Sequence, residues 1–142
     1  MPTRKASAVW EKGFRDGKGT FKGESGSVSG SYSVGSRFES APGSNPEELL
    51  AAAEAACFSM ALALGLEKNG TPPEKVETSA AATIEKAGDG FKISTMNLVV
   101  NAKVPGIDNA AFQKIAEATK DACPVSQALK GNVDIKLTAN LL

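Results

Sequence analysis

Apolar residues are concentrated in residues 45–68, where Glu54 and one serine are the only strongly polar side chains of the segment's interior. Asn45 can cap a helix, Pro46 suits the first helical position, and Gly70 suits the end. Because the segment is apolar almost all round, it predicts a helix buried on most sides. The segment is also just long enough to span a membrane, which is the alternative. A buried soluble helix is favoured because the segment contains many alanines and the charged Glu54, and because polar sequence flanks it on both sides.

Apolar and polar positions alternate in the segments on either side, as they do in strands. Strands are predicted on this basis at residues 5–12, 20–23, 27–34, 76–86, 91–104 and 133–141. A second helix, capped by Asp108, is predicted to end at Asp121, before the sequence Cys123-Pro124 and a short helical turn. The order β-β-β-α-β-β-α-β, with hairpins in place of alternating βα units, predicts an α+β fold with antiparallel sheets.

Composition narrows the class of protein. The 142 residues are most simply one domain spanning residues 1–142, and 16 basic residues balance 16 acidic ones. The charge therefore shows no basic excess of the kind that favours binding to nucleic acid or to an anionic membrane. Histidine is absent, which removes the usual general base and the usual zinc ligand, so neither a metal nor another cofactor is expected.

The chain has two cysteines, Cys57 within the apolar helix and Cys123 at the predicted helix break. No signal peptide is recognisable, so a cytoplasmic protein is expected, where a cysteine pair is more often catalytic or redox-sensing than structural. From spacing alone two interpretations stay open. The pair is either a dithiol/disulfide couple or two inert buried thiols.

A reactive Cys57 would need a cation, because no histidine can deprotonate it and it lies too far from the start of its helix. Arginine suits this task, since its fork can stabilise a sulfur anion and also bind a second group. Arg37, just before the helix, is the first candidate, with Glu47 placed to hold it. The other two arginines of the chain are Arg4 and Arg15.

The alanine-rich faces of the central helix also bear on assembly, because one chain of this length offers few helices to cover them. A second copy of the same helix is the economical solution, so a homodimer with paired central helices is expected. Glu47 and Cys57 would lie about 15 Å apart along one straight helix. In an antiparallel pair, Glu47 of one chain could instead serve Cys57 of its partner.

Several motifs together resemble the OsmC/Ohr family of osmotically inducible and organic hydroperoxide resistance proteins. They are AVWEKG…GKGT, SRFE, NPEELLAAAEAACFSMALAL, VPGID and CPVSQAL, in that order along the whole chain. The SRFE and CFSMAL wording is closer to the OsmC branch. The resemblance implies an intertwined homodimer, with antiparallel sheets wrapped around long central helices.

The resemblance also implies a thiol peroxidase. Cys57 matches the peroxidatic cysteine, Cys123 the resolving cysteine, Glu47 the catalytic glutamate and Arg37 the arginine of the OsmC branch. The Ohr branch instead takes its arginine from an Arg-Asp-Gly turn near the start, and this chain has such a turn at Arg15, which is therefore the alternative. The implied reaction is reduction of organic hydroperoxides, with a dithiol such as a dihydrolipoyl protein as reductant. The resemblance leaves hydrogen peroxide open as a second substrate. Glu54 departs from the OsmC branch, where histidine is common, and its charge would oppose ionisation of the Cys57 thiol.

Two other functions compete with this one. One is a redox sensor in which the cysteine couple forms with little turnover. The other is a structural stress protein with two inert thiols. The surrounding Phe38, Phe58, Met60 and Met96 are interpreted as a hint of an organic substrate, although the same residues would also suit a core.

Overall fold

The computed structural model describes every residue from Met1 to Leu142, and the chain divides into two compact units, residues 1–49 and residues 50–142. The first unit contains β1 (Ala6–Glu11), β2 (Lys18–Gly23), β3 (Ser29–Tyr32), α1 (Val34–Phe38) and the first turn of α2 (Pro46–Lys68). The second contains the rest of α2 with β4 (Lys75–Ala87), β5 (Gly90–Lys103), α3 (Asn109–Ala122), α4 (Pro124–Leu129) and β6 (Asp134–Leu141). The single domain expected from length stays a prediction.

The first unit is built on an antiparallel sheet in the order β1-β2-β3. These three strands were predicted, although β3 is shorter than expected. Helix α1 was not predicted, since five residues are too few to show a helical period. It begins at a capping box, in which Ser33 and Ser36 each accept a hydrogen bond from the other's backbone N–H.

The second unit is built on a sheet in the order β4-β5-β6. Strands β4 and β5 form the predicted antiparallel hairpin, with Ala87 paired to Gly90 across a two-residue turn. The prediction of purely antiparallel sheets is wrong here, because β6 pairs with β5 in parallel. Helices α3 and α4 lie between these two strands in sequence, and they supply the long crossover that a parallel pair needs.

Both ends of α2 form as the sequence predicts. The side-chain oxygen of Asn45 accepts from the backbone N–H of Glu48 at 2.8 Å. At the other end Gly70 adopts a left-handed φ of 80°. The N–H groups of Gly70 and Thr71 donate to carbonyls of the last turn at 2.9 and 3.0 Å, as in a Schellman motif.

The prediction that α2 is buried on most sides is wrong for the single chain. One stripe is buried, with a member every four residues: Glu54, Phe58, Leu62 and Leu66. Its apolar members pack in a core that includes Met96, Leu98 and Val100 of β5 and Phe112 of α3. The opposite stripe, Ala52, Ala53, Ala56, Met60 and Leu64, is exposed, with Met60 at 77% and Leu64 at 51%.

By length and composition α2 is the one helix that would suffice to cross a membrane. Only 22% of its most apolar window is buried within the chain. Length and apolarity are weak evidence for a span, because the core helices of soluble proteins share both.

Candidate active site

The second unit brings the two cysteines together. The Sγ atoms of Cys57 and Cys123 lie 2.8 Å apart, and both thiols are free. A disulfide needs a separation of about 2.05 Å, so a small side-chain movement would join them. Cys57 is half-buried, whereas Cys123 is fully buried. The two thiols are therefore paired in space but differ in their access to solvent.

Local sequence explains the position of each thiol. Cys57 lies near the middle of α2, directly before the buried Phe58. Cys123 is both the C-cap of α3 and the N-cap of α4. Its ψ of 128° is not helical, so it ends the first helix and allows the second to begin in a new direction. Pro124 then occupies the first position of α4, where a missing N–H costs nothing. The predicted helix break at Cys123 is confirmed.

The surroundings of Cys57 disfavour its thiolate. Burial raises the pKa of the Cys57 thiol, and so do the hydrogen bond with Cys123 and the negative charge of Glu54, while a backbone hydrogen bond from Val125 lowers it. The raising influences prevail. These neighbours alone would keep Cys57 protonated near neutral pH, so a reactive Cys57 needs a positive charge.

Glu54 lies one turn before Cys57 on α2, and its side chain is fully buried. Its Oε1 accepts a hydrogen bond from the Ser126 hydroxyl at 2.5 Å and lies 3.9 Å from the Cys123 sulfur. Its Oε2 has no hydrogen-bond partner. The sequence identified Glu54 only as an unfavourable charge, and the contact with Ser126, in the first turn of α4, was missed. The sequence signal that could have indicated this contact was the Cys-Pro-Val-Ser motif, which places Ser126 one helical turn after Cys123.

The first unit assembles the other two predicted site residues. Arg37 donates from Nη2 to Glu47 at 2.8 Å, and its Nε lies 3.2 and 3.3 Å from the two carboxylate oxygens. The Glu47 side chain is 7% exposed and that of Arg37 34%. Helix α1 holds Arg37 in place because Ser36 donates to the Ser44 carbonyl and accepts, at its own carbonyl, from Asn45. The guanidinium is therefore fixed and partly open to solvent.

Arg15, the alternative arginine, lies in the exposed turn between β1 and β2 and forms no ion pair. Since it has no such partner, it lacks the fixed orientation that Glu47 gives Arg37. The structure thus distinguishes the two candidates by how firmly each guanidinium is held.

A cavity of about 230 Å³ adjoins Arg37 within the first unit. Its lining is mostly apolar and includes Trp10, Phe14, Tyr32 and Phe38. Two of the residues interpreted as a substrate hint lie elsewhere, because Phe58 and Met96 are fully buried in the core of the second unit. Those two stabilise the fold by packing, and only Phe38 of that set lines this cavity.

Each predicted pair is thus assembled within its own unit, Arg37 with Glu47 in the first and Cys57 with Cys123 in the second. No group of three or more histidine, cysteine or acidic side chains is arranged to hold a metal ion.

Comparisons with known proteins agree on the family. The family model described as OsmC-like protein matches residues 39–138. Peroxiredoxin OsmC of Escherichia coli (strain K12) is 43% identical over 133 residues, which cover 93% of each chain. Organic hydroperoxide resistance protein OhrB of Bacillus subtilis (strain 168) is 39% identical over 100 residues, covering 70% of this chain and 71% of that protein.

Solved structures share the fold. The crystal structure of OhrB from Bacillus subtilis superposes with a TM-score of 0.75 at 29% identity, covering 96% of this chain and 98% of that one. The crystal structure of an organic hydroperoxide resistance protein OsmC from Legionella pneumophila superposes with a TM-score of 0.75 at 25% identity, covering 99% of this chain and 98% of that one. Fold and cysteine pair together place the protein in the OsmC/Ohr class. The chain belongs to the OsmC family and, by its match to the Escherichia coli protein, to the OsmC branch.

Proposed function

We propose that this protein is a cysteine-based peroxidase that reduces organic hydroperoxides in stress defence. The observation that carries the proposal is the pair of free thiols, Cys57 half-buried and Cys123 fully buried, with sulfurs 2.8 Å apart. The names of its relatives, peroxiredoxin and organic hydroperoxide resistance protein, support the same reaction.

The reaction would use the two thiols in turn. The Cys57 thiolate attacks the outer peroxide oxygen, the O–O bond breaks, and the alcohol leaves after taking a proton. Cys57 is then a sulfenic acid. The Cys123 thiol attacks that sulfur, a disulfide forms, and the hydroxyl leaves as water. A dithiol reductant, such as a dihydrolipoyl protein, returns both cysteines to thiols and becomes a disulfide itself.

Arg37 is the proposed source of positive charge for Cys57. The neighbours of Cys57 in the second unit raise the pKa of its thiol, so the thiolate needs a cation from elsewhere. Glu47 holds the guanidinium through three hydrogen-bond contacts, which keeps it oriented at little entropic cost during the reaction. The same cation would stabilise charge that develops on the peroxide oxygens.

The cavity beside Arg37 supports an organic substrate. Aromatic side chains line it, and about 230 Å³ suits a small alkyl or aryl group rather than hydrogen peroxide alone. The hydroperoxide group would then lie near the guanidinium, with the hydrocarbon part in the cavity.

The protein is further proposed to work as a cytoplasmic homodimer. The exposed stripe of α2 carries alanines together with Met60 and Leu64, and a second copy of α2 would cover it. The family's intertwined arrangement of sheets around paired helices is the expected form of that dimer.

A turnover assay tests the function. The reduced protein is given cumene hydroperoxide with dihydrolipoamide, thioredoxin or glutathione, and peroxide consumption is followed. Sustained consumption with a dithiol is expected. Oxidation that stops after one equivalent per chain with every reductant would favour a redox sensor. Failure of iodoacetamide to alkylate the native protein near neutral pH would favour a structural protein with inert thiols.

A further inference from the structure

Glu54 is a buried ionisable side chain for which the reaction above has no use. It is 0% exposed, and the two side chains that it approaches, Ser126 and Cys123, are 2% and 0% exposed. The ion pairs of the chain involve other carboxylates, so no cation compensates Glu54. Glutamate is rarely buried without such a partner, and its presence here calls for an explanation.

The arrangement of its two oxygens suggests one. Ser126 donates to Oε1 and thereby fixes the carboxyl group, whereas Oε2 is buried with no hydrogen-bond partner. The Cys123 sulfur lies 3.9 Å from Oε1. Because Ser126 follows Cys123 by three residues in the first turn of α4, the thiol and the carboxyl group are held together by one short segment. An acceptor with free capacity therefore lies beside the thiol that must lose a proton.

We propose that Glu54 is the proton acceptor for Cys123 when the disulfide forms, an inference that rests on the proposed function. In that step the Cys123 sulfur bonds to the Cys57 sulfur, and the S–O bond of the sulfenic acid breaks. Glu54 takes the proton of the Cys123 thiol and gives it to the departing hydroxide, which leaves as water. No external oxidant is needed, because the two electrons come from the Cys123 sulfur.

The same carboxylate has an opposite effect on the first step. Its negative charge disfavours the Cys57 thiolate, which lies one helical turn away. Glu54 would therefore slow peroxide attack while accelerating disulfide formation. A purely structural carboxylate would not separate the two steps in this way, and the separation makes the inference testable.

The test uses a disulfide exchange that requires no peroxide. The reduced full-length protein is mixed with excess dithionitrobenzoate (DTNB), and release of the coloured thiol is followed. Cys57 attacks first and keeps one aromatic thiol as a mixed disulfide. Cys123 then attacks the Cys57 sulfur and releases the second. The first phase reports on Cys57 and the second on Cys123.

Glu54→Gln keeps the size of the side chain but removes its basic oxygen. We expect the second phase to slow on the order of 100-fold, as when a general base is lost, with the first phase unchanged or faster. Glu67→Gln, an exposed glutamate of the same helix, is the matched control and should keep both rates. A wild-type second phase in Glu54→Gln, or equal slowing of both phases, would overturn the inference.

Ser126→Ala covers the case in which Glu54→Gln does not fold, as judged by circular dichroism. It leaves the carboxylate in place but removes the hydrogen bond that orients it, so the second phase should again slow selectively; an unchanged second phase would count against the inference. The proposed peroxidase fails separately, if the wild-type protein completes both exchange phases but consumes no peroxide.

Discussion

At the scale of single residues, the two touching thiols are chemically unequal. Cys57 is half-buried, which leaves it accessible to a substrate, whereas Cys123 is fully buried beside Cys57 and Glu54. Peroxide should therefore reach only Cys57, and Cys123 should act only on a sulfur already oxidised. Burial supports the division of labour that the family resemblance implies.

This inequality predicts how each cysteine variant behaves. Cys57→Ser should lose all peroxidase activity, and Cys123→Ser should still form one sulfenic acid per chain on exposure to hydroperoxide. Dimedone labelling followed by intact-mass measurement distinguishes them. Labelling at Cys123 in Cys57→Ser, with none at Cys57 in Cys123→Ser, would reverse the assignment.

The proposal that an arginine activates Cys57 can be tested through the pH dependence of alkylation. Neighbours in the second unit raise the pKa of the Cys57 thiol, so its thiolate forms at higher pH unless a cation opposes them. Arg37→Met should raise that pKa further, moving the iodoacetamide rate profile to higher pH and slowing alkylation near neutral pH. Arg15→Met is the matched control and should keep the wild-type profile. A shift in Arg15→Met alone would make Arg15 the activating residue.

At the scale of elements, the structure shows which helices and strands could be predicted from neighbouring residues alone. Helix α2 has strong local determinants at both ends, so its bounds could be predicted from Asn45 and Gly70. The β4–β5 hairpin was predictable for the same reason, since its turn is encoded by adjacent residues. Helix α1 was not, because five residues are too few to show a helical period and its capping serines lie in a serine-rich stretch.

Pairings between distant residues were the part that local patterns could not supply. The parallel register of β6 against β5 depends on the path of α3 and α4 rather than on the alternation within β6. Likewise, Cys57 and Cys123 are 66 residues apart, and their contact follows from the packing of α2 near the α3–α4 break. The resemblance to a family suggested that contact, whereas spacing left it open.

Gly70 provides a prediction about stability at this scale. Its φ of 80° is unfavourable for residues with a Cβ, so Gly70→Ala should lower the free energy of unfolding by about 1 kcal/mol. Gly90→Ala is the control, because Gly90 has no left-handed φ and an added Cβ would meet only the Ala87 carbonyl at 4.0 Å. Urea unfolding measures both. Equal effects of the two substitutions on the free energy of unfolding would show that the left-handed φ at Gly70 carries no such cost.

At the scale of the whole molecule, the exposed side of α2 is the feature that a single chain leaves unexplained. An alanine-rich stripe with Met60 and Leu64 exposed is costly in water, and a paired helix would remove it from solvent. The small side chains would let two helices approach closely. We therefore expect sedimentation to show a dimer, which also makes it possible for the two chains to share sites.

Mixed dimers test whether Glu47 of one chain serves Cys57 of its partner. If it does, a dimer of one Cys57→Ser chain and one Glu47→Ala chain carries both lesions in one site and none in the other. We expect such mixtures to recover about one working site per mixed dimer, as two-fold symmetry requires, although each parent is inactive.

The control mixture combines Cys57→Ser with Cys123→Ser chains. Because Cys57 and Cys123 meet within one chain, 2.8 Å apart, each chain of this mixture keeps a broken pair. It should form no disulfide within a chain and should recover no turnover, which separates shared sites from simple stabilisation of one variant by another. If the Cys57→Ser and Glu47→Ala mixture stays as inactive as its parents while mass spectrometry confirms mixed dimers, Glu47 acts on the Cys57 of its own chain.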